Sequence, residues 1–216
     1  MPNVLALDFN DSRPARGRME TVRRTLTQGG VIAFPTETFY GLGVNPFNRE
    51  AVRRLFSIKQ RPAGKPILVL VHSRDQLQEL VSEISPAARV LMDAFWPGPL
   101  TLLFSARETV FPELTGATGK IGLRHPGSEF TRRLISEVGH PLTAPSANLA
   151  GQASPRTAAE VMQSLGDAVD LILQGGQPAG GPPSTVLDPT VTPPRMIREG
   201  AVSRTALQRV LGPAWA

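Results

Sequence analysis

At 216 residues, with 41% hydrophobic and 19% charged side chains, the chain has the composition of a soluble globule large enough to close a full hydrophobic core. It holds no cysteine, which excludes disulfides, thiolate metal sites and a cysteine nucleophile. The formal charge of +5 favours anionic partners without choosing between a nucleotide, a polyphosphate and RNA. Met1 to Phe9 lack the basic start and long apolar core of a signal peptide, and no apolar run approaches membrane-spanning length. A cytoplasmic protein without membrane contact is expected, and the missing cysteines suit that compartment.

In chain order, a short strand over Val4–Leu7 leads into a polar, Arg-bearing connection, and Gly17 to Gln28 reads as a helix with Met19, Val22 and Leu26 on one face. Gly29-Gly30 stops it. Val31-Ile32-Ala33-Phe34 follows as a buried strand that Pro35 ends, since proline has no N–H for the ladder. Beyond it, Thr36, Glu37, Thr38 and Tyr40 gather three hydroxyls and a carboxylate in a loop closed by Gly41 and Gly43. A strand emptying into such a loop is where open α/β sheets place ligands.

Asn48 is the N-cap of a helix through Ile58 that buries Val52, Leu55 and Phe56. The basic connection Lys59–Pro66 precedes an apolar strand, Ile67–Val71. Ser73 or Asp75 caps a short helix, and Ser85-Pro86 starts another ending near Phe95. Trp96-Pro97-Gly98-Pro99 breaks the pattern before the strand Leu100–Phe104, and residues 105–119 read as a loop. Lys120–Arg124 is a strand, Ser128 caps a helix to Val138, and Pro141–Thr143 is a brief strand. Thr157 caps a helix through Ser164, Asp170–Leu173 is a strand, and Gly175–Pro183 is a Gly/Pro-rich loop. Ser184–Leu187 and Met196–Arg198 are strands, and Ser203 caps a last helix to Leu211. Strands alternating with helices indicate an α/β domain, and the short late strands indicate a mixed sheet.

Several stretches could carry chemistry. Lys59, Arg61 and Lys65 sit on a connection stiffened by Pro62 and Pro66, with a planar fork and compact charges suited to phosphate or carboxylate oxygens; a solvated basic loop is the alternative. Lys120 and Arg124 share one face of their strand and Ile121 and Leu123 the other. In Ala144-Pro145-Ser146-Ala147-Asn148, Ser146 could donate to a phosphate or bicarbonate oxygen while Asn148 locks the turn. No G-x-S-x-G elbow, triad order or zinc-binding pattern accompanies His72, His125 and His140, and both the P-loop and G-x-G-x-x-G cradles are missing. Trp96 reads as a packing anchor rather than a base-stacking platform.

Taken together, these stretches resemble the YrdC-type threonylcarbamoyl-AMP synthase family in its single-domain form. The resemblance rests on Pro35-Thr36-Glu37-Thr38 with Tyr40-Gly41-Leu42-Gly43, Lys59-x-Arg61-Pro62, Trp96-Pro97-Gly98-Pro99-Leu100-Thr101, Arg124-x-Pro126, Pro145-Ser146-Ala147-Asn148, Ser184-Thr185-Val186-Leu187-Asp188 and Arg198-x-Gly200. They run in order from about residue 15 to residue 202. The resemblance implies an open twisted mixed α/β sheet with flanking helices and a basic concave face. It implies one domain over residues 1–216, with a C-terminal helix at 203–211 and without the C-terminal domain of a longer family branch.

The implied activity is that of a nucleotidyltransferase. L-threonine and bicarbonate form a carbamate whose oxygen attacks the α-phosphorus of ATP, giving threonylcarbamoyl-AMP and pyrophosphate. That product serves the modification of adenosine 37 in tRNAs that read ANN codons, through downstream threonylcarbamoyl transferase proteins. Carried over by motif, Thr36, Thr38, Arg124, the Ala144 backbone and Ser184 hold threonine. Lys59, Arg61, Lys65, Lys120, Ser146, Asn148, Ser154 and Arg198 surround bicarbonate and ATP, with Lys59, Arg61 and Ser146 as the catalytic set. Mg²⁺ is expected to ride mainly on the phosphates and water, with no metal site in the protein. Leu70 departs from relatives that carry a histidine on this strand, and a leucine cannot hydrogen-bond. Two other functions compete: a related protein that binds double-stranded RNA, tRNA or maturing ribosomes without chemistry, and an ATP-hydrolysing regulatory paralogue, which would be expected to lack the Lys-x-Arg or Ser-Ala-Asn residues present here.

Overall fold

The computed structural model describes residues 3–9, 12–62, 64–176, 178, 180–212 and 215, with the backbone alone for 12–16. Ala63 of the basic connection and residues 177 and 179 of the Gly/Pro-rich loop lie outside the described residues, as do Met1 and Pro2. Strand β1 (Asn3–Ala6) leads to helix α1 (Ser12–Thr27), whose Met19, Val22 and Leu26 are buried. The helix starts at Ser12 rather than Gly17, because Pro14 falls in its first turn, where the missing N–H costs no intrahelical bond. Gly29, at φ +78°, turns the chain out of it.

Strand β2 (Ile32–Pro35) forms an antiparallel hairpin with β3 (Tyr40–Gly43), pairing Ile32 with Gly43 and Pro35 with Tyr40. The stretch expected as a glycine-closed loop is therefore a buried strand. Gly43 is needed there for packing: an added Cβ would lie 2.8 Å from Cε1 of Phe34 on the neighbouring strand.

Helix α2 (Arg49–Lys59) buries Val52, Leu55 and Phe56, and is followed by β4 (Leu68–Leu70). Residues Asp75–Glu79 form only a 3₁₀ turn, and neither Ser73 nor Asp75 caps it; Gln76 Oε1 accepts the His72 N–H in the turn before it. Helix α3 (Pro86–Phe95) and strand β5 (Leu100–Ser105) come next. The expected loop over 105–119 contains the single-turn helix α4 (Pro112–Thr115), started by Pro112 and anchored by buried Leu114; four residues are too few to show a period.

Strand β6 (Lys120–Arg124), helix α5 (Glu129–Val138), strand β7 (Leu142–Thr143), helix α6 (Ala158–Leu165) and strand β8 (Leu171–Gln174) follow. Strands β9 (Thr185–Asp188) and β10 (Arg195–Arg198) and helix α7 (Arg204–Leu211) close the chain. Asn48, Ser85, Ser128, Thr157 and Ser203 each accept a backbone N–H from three residues on, which satisfies a donor that the helix itself leaves free.

The strands form two mixed sheets, ordered β1-β8-β2-β3 and β10-β9-β5-β6-β4-β7. They meet where β3 passes β7 and the turn after it: Leu42 N–H donates to Pro145 O, Ala147 N–H to Tyr40 O and Val44 N–H to Thr143 Oγ1. One apolar cluster joins helices α1 and α5 to the first sheet, and a larger one runs beneath α2, α3, α6 and α7. Leu70 is fully buried in the smaller cluster. Trp96 is a packing anchor as expected, its indole N–H bonded to Leu100 O at 2.7 Å. Among the described residues no helix is long and apolar enough to cross a membrane.

Candidate active site

A cleft of about 330 Å³ opens at the junction of the two sheets. The β2–β3 turn, the loop after α2, β5, β6, the turn after β7, β9 and β10 all contribute to its wall. Among the described residues, the charged ones on that wall are Arg61, Arg124 and Arg198, and neither a carboxylate nor a histidine joins them. The hydroxyl-bearing residues on it are Thr36, Thr38, Tyr40, Thr101, Ser146, Ser154 and Ser184. Such a lining suits an anionic ligand and offers no base to activate a serine as nucleophile.

Arg124 is the deepest of the three cations, 3% exposed at the end of β6. Lys120, Gly122 and Arg124 lie on one side of that strand, while Ile121 and Leu123 enter the core, as strand alternation requires. Burial lowers the Arg124 pKa, the Glu37 charge raises it and the Arg198 charge lowers it again. Its Nε lies 3.6 Å from Glu37 Oε1, too long for a hydrogen bond, and is buried without a partner. A buried cation with unspent donors at the wall of a cleft is a seat for a carboxylate.

Arg198 reaches across from β10, donating through Nη2 to Ser184 O at 2.7 Å and to Ser184 Oγ at 3.3 Å. Ser184 Oγ also lies 2.9 Å from Thr101 Oγ1, a residue of the Trp96–Thr101 motif to which no site role was given. The Arg198-x-Gly200 spacing has a steric reason: a Cβ on Gly200 would lie 2.2 Å from Pro183 O. Only glycine lets the chain after β10 run against Ser184.

Thr36 Oγ1 donates to Phe39 O at 2.7 Å and accepts weakly from Thr38 and Phe39 N–H, so it shapes the turn that presents Thr38. The Ala144 N–H is spent on Leu68 O, which leaves its carbonyl as the backbone group it can offer a ligand. Arg61 donates to Lys65 O and Pro66 O while lining the cleft, and Ser154 lines it too.

Other expected phosphate contacts are placed differently. Lys59 is 2% exposed and does not line the cleft; its ammonium donates to the carbonyls of Ser146 and Asn148 at 2.5 and 2.7 Å. It clamps the turn from inside, and burial, then Arg61, pull its pKa down to about 8. Ser146 was expected to donate to an oxyanion, but its hydroxyl hydrogen goes to Asn148 Oδ1, leaving Ser146 as an acceptor toward the cleft. Asn148, expected at ATP, is buried and spends its amide on Gln152 O, as the turn-locking reading requires. Lys120 is held outside the cleft by buried Asp188 at 2.7 Å. Lys65 is exposed and off the lining; its carbonyl accepts from Arg61 and its N–H donates to Pro62 O. Leu70 lies off the lining, where Leu68 stands instead.

Among the described residues no group of three or more His, Asp or Glu side chains could hold a metal. With no carboxylate on the cleft wall, the residues present do not fit a protein-held Mg²⁺.

Fold and cleft together define an α/β protein with a cleft lined by guanidinium and hydroxyl groups at the junction of its two sheets. More particularly, the chain belongs to the Sua5/YciO/YrdC family, whose family model, described as "Telomere recombination", matches residues 24–200. It is 38% identical over 187 residues to the threonylcarbamoyl-AMP synthase of Pyrococcus abyssi, an alignment covering 87% of this chain and 55% of that protein. It is 41% identical over 162 residues to the synthase of Idiomarina loihiensis, covering 74% of this chain and 87% of that one. The crystal structure of P. abyssi Sua5 complexed with L-threonine superposes with a TM-score of 0.90 at 35% identity, over 97% of this chain and 61% of that one. Escherichia coli YciO gives 0.80 at 26%, over 93% and 97%. The chain thus spans little more than half the length of the P. abyssi synthase and most of the length of the Idiomarina one.

Two outcomes follow from this geometry. Lys59→Met removes the ammonium donor from the Asn148 carbonyl and one of the two donors from the Ser146 carbonyl, which keeps the Asn148 N–H, and should lower the unfolding free energy by on the order of 1–3 kcal/mol in urea. Lost activity with unchanged stability would return Lys59 to a direct role in the cleft. His125, next to Arg124 and edge-on to Trp96 at 6.4 Å, has a pKa held down to about 4 by burial and by Arg132, His72 and Arg74. The unfolded chain takes up this proton near 6.5 and the folded one resists it, so stability present above pH 6.5 is lost as pH falls through about 4. Replacing it by His125→Gln should flatten that acid-side loss; identical slopes in the two proteins would contradict the assignment.

Proposed function

We propose that this chain makes threonylcarbamoyl-AMP from L-threonine, bicarbonate and ATP. The observation that carries the reading is buried Arg124, a seat for a carboxylate, in a cleft it shares with the hydroxyls of Thr38 and Ser184 and whose charged groups, among the described residues, are all cations. Synthases at 38% and 41% identity and the threonine-bound P. abyssi protein support it.

In this reading the threonine carboxylate meets Arg124, its hydroxyl meets Thr38 or Ser184, and the Ala144 carbonyl receives its amine. The free amine adds to bicarbonate and water leaves, giving the N-carboxylate. One carbamate oxygen attacks the α-phosphorus while the bond to the bridging oxygen of pyrophosphate breaks. Arg61 and Arg198 are the cations available to the phosphates and to the charge that grows on them, with Ser146 and Ser154 beside them. Lys59 and Asn148 act by holding the Ser146 turn, and Lys65 and Lys120 stand outside the contact set. Mg²⁺ enters as part of the nucleotide substrate. Catalysis is then alignment of two anions against a fixed positive wall, which needs neither a covalent intermediate nor a protein base. The product would pass to a transferase acting on tRNA.

Pyrophosphate release should require threonine and bicarbonate together, because neither alone supplies the attacking carbamate. Serine, lacking one methyl, should be discriminated against by roughly 1–3 kcal/mol. Threonine-dependent release that persists without bicarbonate would make direct aminoacyl adenylation the better account. A protein that only holds RNA would release none in any mixture.

A further inference from the structure

Two neighbouring side chains beside the cleft each carry a buried polar atom without a partner: Arg124 at Nε and Glu37 at Oε2. The other Glu37 oxygen, Oε1, lies 3.6 Å from Arg124 Nε and accepts the Gly127 N–H at 3.4 Å. Glu37 sits in the β2–β3 turn between Thr36 and Thr38, both of which line the cleft, yet it is not itself on the lining. The pair is nearly sealed from water, with side chains 4% and 18% exposed for Arg124 and Glu37.

From this arrangement we infer that Glu37 is the positioning residue that orients Arg124 for the carboxylate of its ligand. The inference rests on the threonine reading above and adds a residue to it. A carboxylate at 3.6 Å compensates the buried charge but takes none of the guanidinium donors. Because it stands on the Nε side, it leaves the Nη1/Nη2 edge for an incoming carboxylate and fixes the side of approach. Arg198 pushes the other way, since its charge disfavours the protonated Arg124. Without Glu37 the guanidinium would have a repelling neighbour and no opposing charge among the residues that bear on it. The Gly127 N–H fixes Glu37 from the segment before α5, so the two threonine hydroxyls and the carboxylate seat are set by one turn.

The test compares binding of L-threonine and L-threonine methyl ester to the wild-type protein, Glu37→Gln and Glu37→Asp by ligand-observed NMR, which reads millimolar affinities. Glu37→Gln should weaken threonine by about tenfold or more and the ester by less than about threefold, because the ester has no charge for Arg124 to receive. In turnover the same variant should raise the threonine KM, with kcat and the ATP KM nearly unchanged. Glu37→Asp, which keeps the charge at a shorter reach, should be intermediate for threonine and neutral for the ester. It decides the matter alone if Glu37→Gln does not fold. Equal weakening of both ligands, or of neither, would overturn the inference. Wild-type protein that binds no threonine would overturn the substrate reading and this role with it. Threonine binding that Glu37→Gln leaves intact would overturn the role alone.

Discussion

The desolvation of Arg124 governs how the site is built. Taking a guanidinium out of water costs several kcal/mol even after relaxation, and the only carboxylate paired with it among the described residues, Glu37, stands just beyond hydrogen-bond distance. The remaining compensation has to come from something that enters the cleft. Every other charge on the lining is positive, so the same arrangement that makes the free protein electrostatically uncomfortable makes it selective for anions. In the proposed reaction, a fixed positive wall of this kind would not have to reorganise as charge moves from a carbamate to a departing pyrophosphate, which is the main advantage of preorganised electrostatic catalysis.

Holding that wall still is the work of groups that never face the ligand. Lys59, at the end of α2, carries its charge inward to two carbonyls of the Ser146–Asn148 turn, while Asn148 bonds Ser146 and Gln152. That turn also receives the β3 strand through the Leu42–Pro145 and Ala147–Tyr40 hydrogen bonds, so the clamp ties both sheets together at the floor of the cleft. On the opposite side Arg198 braces Ser184, and Gly200 permits the close approach that makes the brace possible. Rigid placement of the wall follows from these inward-facing contacts rather than from the lining residues themselves.

Features decided within a few residues were legible from the sequence. Asn48, Ser85, Ser128, Thr157 and Ser203 cap their helices because a side-chain oxygen three residues before a free N–H is a local event. The alternation of Lys120 and Arg124 against Ile121 and Leu123 likewise needs only strand geometry. Features decided by distant neighbours were not. Tyr40–Gly43 read as a loop because its glycines signal turns, whereas Gly43 is small to admit Phe34 from the paired strand. Several motif residues gather around one cleft, but the direction of each side chain is not written in the sequence. Lys59 and Asn148 belong to the site region and point into the protein, and Lys120 is turned aside by Asp188, a partner 68 residues away. Thr101 and Glu37 stood in plain view inside recognised motifs, and only their contacts, with Ser184 and Arg124, reveal what they do.

The central claim is that Arg124 receives the carboxylate of an amino-acid substrate. A crystal structure of the protein with L-threonine tests it most directly. The account predicts the threonine carboxylate within hydrogen-bond distance, about 3 Å, of the Arg124 guanidinium, with the side-chain hydroxyl turned toward Thr38 or Ser184. A threonine carboxylate seated on Arg61 or Arg198, with Arg124 still unpaired behind it, would contradict it.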